Sequence, residues 1–425
     1  MLQIQAIREN RAVVIAGLQK KHFHDPVSVV DSLLAMDDER KAIQRKLNDH
    51  QANSNKLAGE IGGLLKNGQK DAAEAIKTQV SEIKNEIKQL ETSLQQVESD
   101  LETLLITVPN LPHHSVPEGK TPEENEVYKM SEIPVPQLPE SALPHWELAK
   151  KYNIFDLELG VKITGAGFPL YRGKGAKLQR ALINFFLDEA HAAGYEEIIP
   201  PLMVNEDSAR GTGNLPDKEG QMYYVTKDDL YLIPTAEVPI TNMHRGDILD
   251  EKALPIKLTG YTPCFRREAG SYGAHVRGLN RVHQFDKIEI VQFQHPSKSY
   301  DTQLEMLAHV ENLLEKLGLP YRILRLCGGD MSFTSALTFD FEVFSAAQQR
   351  WLEVSSVSNF ETFQSNRLQV RFRDENKKVQ LVHTLNGSAL ALARILASIL
   401  ENYQTEEGIV IPEVLQKYTG FSILN

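Results

Sequence analysis

From Gly260 to Phe293 the chain reads GYTPCFRREAGSYGAHVRGLNRVHQFDKIEIVQF, which parses as strand, glycine-bearing loop and strand. The β-rich runs are Leu254 to Glu268 and Arg281 to Phe293, and no helical period separates them, so they pair antiparallel. On the first strand Arg266 and Glu268 are two apart and share a face. On the second, Phe285 and Glu289 share a face about 13 Å apart along the strand. An arginine fork suits a phosphate, a phenyl ring suits a purine, and a carboxylate suits an ammonium or hydroxyl group. An Arg-x-Glu strand by itself is more often a surface ion pair. All four residues on one sheet face point to a ligand.

Working outward, further β-rich runs (Glu197 to Val204, Phe339 to Val343, Arg350 to Val357) alternate with helical patterns (Leu178 to Ala193, Leu304 to Leu317, Ala389 to Asn402). Consecutive strands without intervening helices predict an α+β domain with an antiparallel sheet flanked by helices. No Gly-x-Gly-x-x-Gly or Walker loop occurs, so nucleotide chemistry here requires another cradle. Eight prolines between Pro109 and Pro144 exclude a continuous helix and mark an extended linker. The expected division is therefore 1–107, a linker over 108–145, and a separate globular domain over 146–425.

Upstream of the linker, Ile76, Val80, Ile83, Ile87, Leu90, Leu94, Val97, Leu101 and Leu104 alternate four and three apart, which is a coiled-coil seam. Leu33, Met36, Ile43, Leu47, Leu57, Ile61 and Leu64 follow the same spacing, with Arg40, His50 and Ser54 as polar interruptions. Between the two runs, Asn67-Gly68 supplies the left-handed backbone of a reversal, and Asp71 can cap the returning helix. The result is an N-terminal antiparallel helical hairpin, its outgoing arm about 50 Å long from Leu33 to Lys66. Taken alone, such a rod is most simply a spacer or a dimerisation element.

The 425 residues carry 46 Lys plus Arg against 57 Asp plus Glu, a net charge of −11, so any nucleic-acid contact must be local and shaped. The hairpin follows suit, with 10 basic against 14 acidic residues over 27–107, although Arg45, Lys46, Lys56, Lys77, Lys84 and Lys88 can reach phosphates. Two cysteines, Cys264 and Cys327, are too few for a disulfide framework. The apolar run from Ala12 to Leu18 has no cleavage pattern after it and no run reaches membrane-spanning length, so a cytoplasmic protein is expected. His275, His283 and His295 lie near the quoted stretch, but no Cys/His set has zinc-ligand spacing.

These pieces resemble the three motifs of the class II aminoacyl-tRNA synthetases and, with the hairpin, the bacterial-type seryl-tRNA synthetase family, over nearly the whole chain. Motif one resembles GYEEIIPPLMV, with Pro200 at the family's dimer-interface position. Motif two is the FRRE segment. Motif three resembles NGSALALARILASILEN, with Ala389 and Ala393 where the family often has glycine.

The resemblance implies ATP and Mg2+ as the chemical partners, serine and tRNA(Ser) as substrates, tRNA(Sec) as a further substrate where present, and a homodimer with no membrane. It implies that Arg266 meets the α-phosphate, that Arg267, Glu268 and Val282 help to hold ATP, and that adenine stacks between Phe285 and Arg394. Arg266, Glu268 and Arg394 are then the catalytic set. Thr235, Ala236 and Glu237 match the serine-binding loop, and Glu289 and Ser388 the positions that close on the amino acid. Glu353, Val354, Ser355 and Ser356 match an ATP and magnesium segment, with Glu353 and Ser356 as ligands.

In a regular strand Glu353 and Ser356 would point to opposite faces. A bulge, or a single direct ligand, reconciles them. Thr-x-Glu also suits a plain helix start, and Ser388 beside Gly387 suits a helix cap. Two other functions share parts of this pattern: a class II-like ligase that loads a small amino acid onto a carrier protein, and an inactive RNA-binding paralogue. The hairpin argues against the first, and intact Arg266, Glu268, Glu353 and Arg394 argue against the second.

Overall fold

The computed structural model describes every residue except 218, 269–272, 274 and 275. Two compact units make up the chain: Met1–Gln19 with Phe23–Pro109, and Lys20–His22 with Asn110–Asn425.

The first unit is built on helix α1 (Pro26–Lys66) and helix α2 (Lys70–Leu105). Asp25 starts α1 by accepting the Ser28 N–H, and Pro26 occupies the first turn, where its missing N–H costs nothing. At the far end Gly68, with φ +74°, makes the reversal. Asp71 does not cap the returning helix as expected. The N-cap is Gln69, and Asp71 lies inside the first turn, where its charge favours the helix N-terminus. All nine positions of the α2 seam are buried or half-buried.

A buried charge, Asp37, sits on α1 with almost no exposed side chain. Arg8, on the short helix Ile4–Glu9, reaches it at 2.8 Å, and Arg40 and Lys41, one turn further along α1, reach it at 2.9 and 2.7 Å. Burial alone would raise the Asp37 carboxyl, but the hydrogen bonds from Lys41, Arg8 and Arg40 outweigh it and hold the group at about 2.

The second unit carries an eight-stranded sheet. In chain order its strands are β1 (Glu126–Met130), β2 (Glu196–Glu197), β3 (Ile256–Phe265), β4 (Gln284–Gln294), β5 (Tyr321–Arg325), β6 (Leu337–Ser345), β7 (Arg350–Glu361) and β8 (His383–Ala391), in the spatial order β1-β5-β6-β7-β8-β4-β3-β2. Every pairing is antiparallel except β2 with β3. The proline-rich stretch is not wholly linker, since it contributes β1 at the sheet edge.

Helices α4 (Gly173–Ala192), α5 (Ser299–Leu317) and α6 (Leu392–Asn402) bury Leu182, Phe186, Val310, Leu314, Ile395 and Ile399 in one core with Ile288 and Ile290 of β4. Helix α3 (His145–Tyr152) adds Leu148 and Ala149 to that core. Val291 and Phe293, on the alternate face of β4, belong to a second cluster with Ile240, Leu368 and Phe372. The motif-three segment divides differently from its sequence pattern: residues 383–391 form β8, and the helix starts only at Leu392.

Asp37→Asn should destabilise the first unit by about 3 kcal/mol at pH 7, because Arg40 and Lys41 lose their carboxylate partner and Arg8 keeps only the exposed Asp38. Because the carboxyl is depressed on folding, its contribution is complete above its ordinary value of 3.8 and disappears as pH falls through about 2. Urea denaturation of the full chain and the variant, followed by circular dichroism, should therefore show a gap that closes at pH 2. A gap unchanged down to that pH would refute the role.

Candidate active site

The polar centre lies on β4 and its neighbours. Glu289 stands opposite Gly260 of β3 on one side and Ser388 of β8 on the other. It has no exposed surface, so its charge requires partners. The Lys287 ammonium lies 2.6 Å from Oε2, the Thr235 hydroxyl donates to Oε2 at 3.0 Å, and the Asn386 amide donates to Oε1 at 2.9 Å. Lys287 shares the face because it is two residues earlier on the same strand. Sequence reading missed Lys287 and Asn386. The i, i+2 spacing of Lys287 and Glu289 could have signalled the first. The second depends on cross-strand register, which no local pattern shows.

Thr235 serves two purposes. Its hydroxyl accepts the Glu237 N–H at 3.2 Å, opening the short helix Glu237–Thr241, while it donates to Glu289. Ala236 between them is fully buried. The half-buried Glu237 carboxylate accepts the Gln364 amide at 2.6 Å, and the carbonyl of Gln364 accepts the Thr384 hydroxyl. Loss of water, then the negative charge of Glu289, push the Glu237 carboxyl up to about 7 against the pull of Gln364, Lys287 and Arg266.

The strand expected to run through Glu268 stops at Phe265. Arg266 still donates its N–H to His283, but the Arg267 N–H turns to Gln221, and Glu268 adopts a left-handed φ of +47°. Arg266 and Glu268 therefore do not share a strand face. Glu268 instead pairs with Arg281 at 3.1 Å. The Arg266 guanidinium lies over the Phe285 ring, 5.2 Å from its centre, and its Nε donates to the Pro234 carbonyl at 3.3 Å. Arg267 covers Tyr223 at 5.5 Å. Val282 is buried in the main core.

The second β-strand began in sequence at Arg281 and in the structure at Gln284. His283 stacks on Phe168 and bonds to Tyr223, and His295 bonds to Ser297. His275 lies outside the described residues.

On β7 the ladder to β6 skips Val354: Ser355 pairs with Phe341 and Glu353 with Glu342. This bulge brings Glu353 and Ser356 to one face, together with Glu342 and Asp340, the latter directly opposite Ser356. Val354 points into the core. The Ser355 hydroxyl donates to the Ser388 carbonyl at 2.5 Å, and Ser388 is a strand residue, not a helix cap. The Asp340 Oδ1 is buried with no hydrogen-bond partner among the described residues. Loss of water, then Glu353, raise its carboxyl well above the ordinary range. Arg394, on α6, ties this region together by donating to the Glu353 carbonyl at 2.7 Å and to the Asn280 carbonyl at 2.9 Å.

Comparison with known proteins bears on both units. The seryl-tRNA synthetase N-terminal domain family matches residues 1–112, and the class II tRNA synthetase core domain family (G, H, P, S and T) matches residues 223–403. The serine–tRNA ligase of Salinibacter ruber is 50% identical over 99% of both chains, and that of Chlorobaculum parvum is 47% identical over 100% of both. Among solved structures, the seryl-tRNA synthetase of Pyrococcus horikoshii, complexed with ATP, superposes with a TM-score of 0.91 at 34% identity over 100% of this chain and 99% of that one. The cytoplasmic serine–tRNA ligase of Naegleria fowleri, in complex with AMP, gives 0.88 at 28% identity over 100% and 99%.

A carboxyl held near 7 attracts an ammonium group only after it ionises. Affinity for L-serine should therefore rise as pH increases from 6 to 8, and Glu237→Gln should bind serine about tenfold or more weakly, with that pH dependence lost. Titration calorimetry at several pH values measures both. A variant with the parent's pH profile would show that Glu237 does not meet the ammonium.

Proposed function

The chain belongs to the seryl-tRNA synthetase family, and from that premise we propose that it activates serine with ATP and passes the seryl group to tRNA(Ser), and to tRNA(Sec) where that tRNA is present. One observation carries the reading. Two carboxylates that feel each other's charge, Glu237 and Glu289, lie near the middle of the β3 and β4 pair, where Glu289 stands opposite Gly260, while Arg266 and Phe285 stand together at the end where Phe265 meets Gln284. A serine whose ammonium and hydroxyl groups are held by the carboxylates presents its carboxylate toward a phosphate held beside Arg266 at the strand end.

In this reading Arg266 meets the α-phosphate, with Arg267, Glu268 and Val282 supporting the nucleotide, and adenine lies between Phe285 and Arg394. Thr235, Ala236, Glu237, Glu289 and Ser388 form the serine pocket. Glu289 is already saturated by donors on Oε2, so the serine hydroxyl takes the remaining acceptor direction on Oε1 beside Asn386, or displaces that amide. The serine carboxylate is ionised at neutral pH and requires no base. Its oxygen bonds to the α-phosphorus as the bond to pyrophosphate breaks, and the site supplies alignment and positive charge. In the second step a ribose hydroxyl of the tRNA takes the seryl group and releases AMP.

Magnesium would be held by Glu353 and Ser356. The bulge that aligns them, and the unpartnered Asp340 oxygen beside them, make a set of hard oxygen donors suited to it. When bound, such an ion offsets phosphate charge.

The hairpin is assigned to the tRNA, gripping it by shape and backbone phosphates. We assign a homodimer to the motif-one segment, where Ile199 is 89% exposed beside Pro200, Leu202 and Met203. A cytoplasmic location fits two unpaired cysteines. No helix among the described residues is long and apolar enough to cross a membrane.

Serine-dependent exchange of pyrophosphate into ATP tests the first step. Arg266→Ala should lower it ~10²-fold or more without unfolding the protein, and near-normal exchange in a folded variant would sink the assignment. Removing residues 33–104 and joining the ends should leave exchange intact while abolishing tRNA charging. Charging by the full chain should weaken as salt rises. A truncation that still charges tRNA returns the hairpin to the status of a spacer.

A further inference from the structure

His145 opens α3 and is completely buried. Its Nδ1 lies 2.7 Å from Glu401, and its Nε2 accepts the Leu279 N–H at 2.8 Å. A ring nitrogen that accepts a backbone N–H carries no proton, so the proton is on Nδ1 and is donated to Glu401. The Leu279 backbone passes so close that a Cβ on Gly278, which has φ +71°, would lie 2.2 Å from Nε2. The adjoining residue, Asn280, is buried too. Its side chain donates to Gln348 at 2.8 Å, and Gln348 donates to Glu401 at 2.9 Å.

These bonds close a circuit. Asn280 offers its carbonyl to Arg394 at 2.9 Å, and Glu401 lies seven residues after Arg394 on α6, two turns along the same face. The Asn280 carbonyl is thus fixed from two directions: through the main chain by the bond from Leu279 to His145, and through its side chain by Gln348 and Glu401. Arg394 has a second acceptor in the Glu353 carbonyl. Two carbonyls at two positions on a planar guanidinium set its plane as well as its place.

We propose that His145 is a positioning residue for the nucleotide site: by accepting the Leu279 N–H it holds the Asn280 carbonyl where it orients the Arg394 guanidinium for stacking on a purine, while its bond to Glu401 fixes the tautomer and contributes to stability. This rests on the reading that Arg394 meets the adenine. Serine is bound by residues outside the circuit, so the effect is confined to ATP.

The two nitrogens can be separated by substitution. His145→Asn places an amide near Nδ1, which keeps the donor to Glu401 and loses the acceptor for Leu279. His145→Gln places an amide near Nε2 and does the reverse. The dissociation constant of ATP, measured by calorimetry without serine, should rise about tenfold in His145→Asn, the size of one lost buried hydrogen bond. In His145→Gln it should stay within about twofold of the parent, although that variant melts at a lower temperature. Serine affinity should be unchanged in both.

Should His145→Asn fold poorly, Gln348→Leu cuts the other arm of the circuit and should weaken ATP in the same way. Parental ATP affinity in folded His145→Asn would overturn the proposal, as would equal losses of ATP and serine affinity in both histidine variants. The ATP measurement requires no turnover. Failure of the parent in serine-dependent exchange would therefore count against the proposed function and leave this test readable.

Discussion

A carboxylate with no exposed surface governs the second unit. Glu289 is tolerated inside the sheet because Lys287, Thr235 and Asn386 surround it, Lys287 from the same strand and the other two from separate pieces of the chain. The chain must enter its short helix just after Thr235, Asn386 must keep its register on β8, and Lys287 must stay in phase on β4. Hydrophobic packing fixes that phase, because Ile288 and Ile290 face the helical core while Val291 and Phe293 face the second cluster. A slip of one residue along β4 would drive the charges into the core and the isoleucines into the site. The apolar face and the polar site are therefore one constraint.

Much of this was legible in the sequence, for identifiable reasons. Period-two and period-3.5 patterns are local, and the hairpin, the strands and the main helices followed from them. Boundaries were less legible. The β3 strand ends at Phe265 because the Arg267 N–H turns to Gln221, a partner far away in sequence. Residues 383–391 extend as β8 because they pair with β4 and β7, although the alanines and leucines there favour a helix. The geometric conflict between Glu353 and Ser356 could be posed from spacing alone, but only the ladder shows Val354 absorbing it.

Polar partners were the hardest part to read. Asp37 falls among the seam positions of α1, and nothing nearby announces that Arg8 will reach it from a separate helix. Gln364 and the His145–Glu401 pair share that character, since each acts with a partner more than a hundred residues away. Residue type suggested chemistry wherever a family resemblance supplied the context. Where it did not, burial of a polar atom was the signal, and burial is a property of the fold.

The Glu237 carboxyl carries a consequence beyond the site. A group that is half protonated near neutrality in the free protein, and ionised once an ammonium sits beside it, must shed part of a proton into the medium when the amino acid arrives. On the proposed reading, amino-acid capture is thus coupled to the proton activity of the cell. Acidification would tax that capture. The heat of binding would then carry the ionisation enthalpy of whichever buffer receives the proton, so calorimetry in phosphate and in Tris would disagree by an amount that counts the protons released.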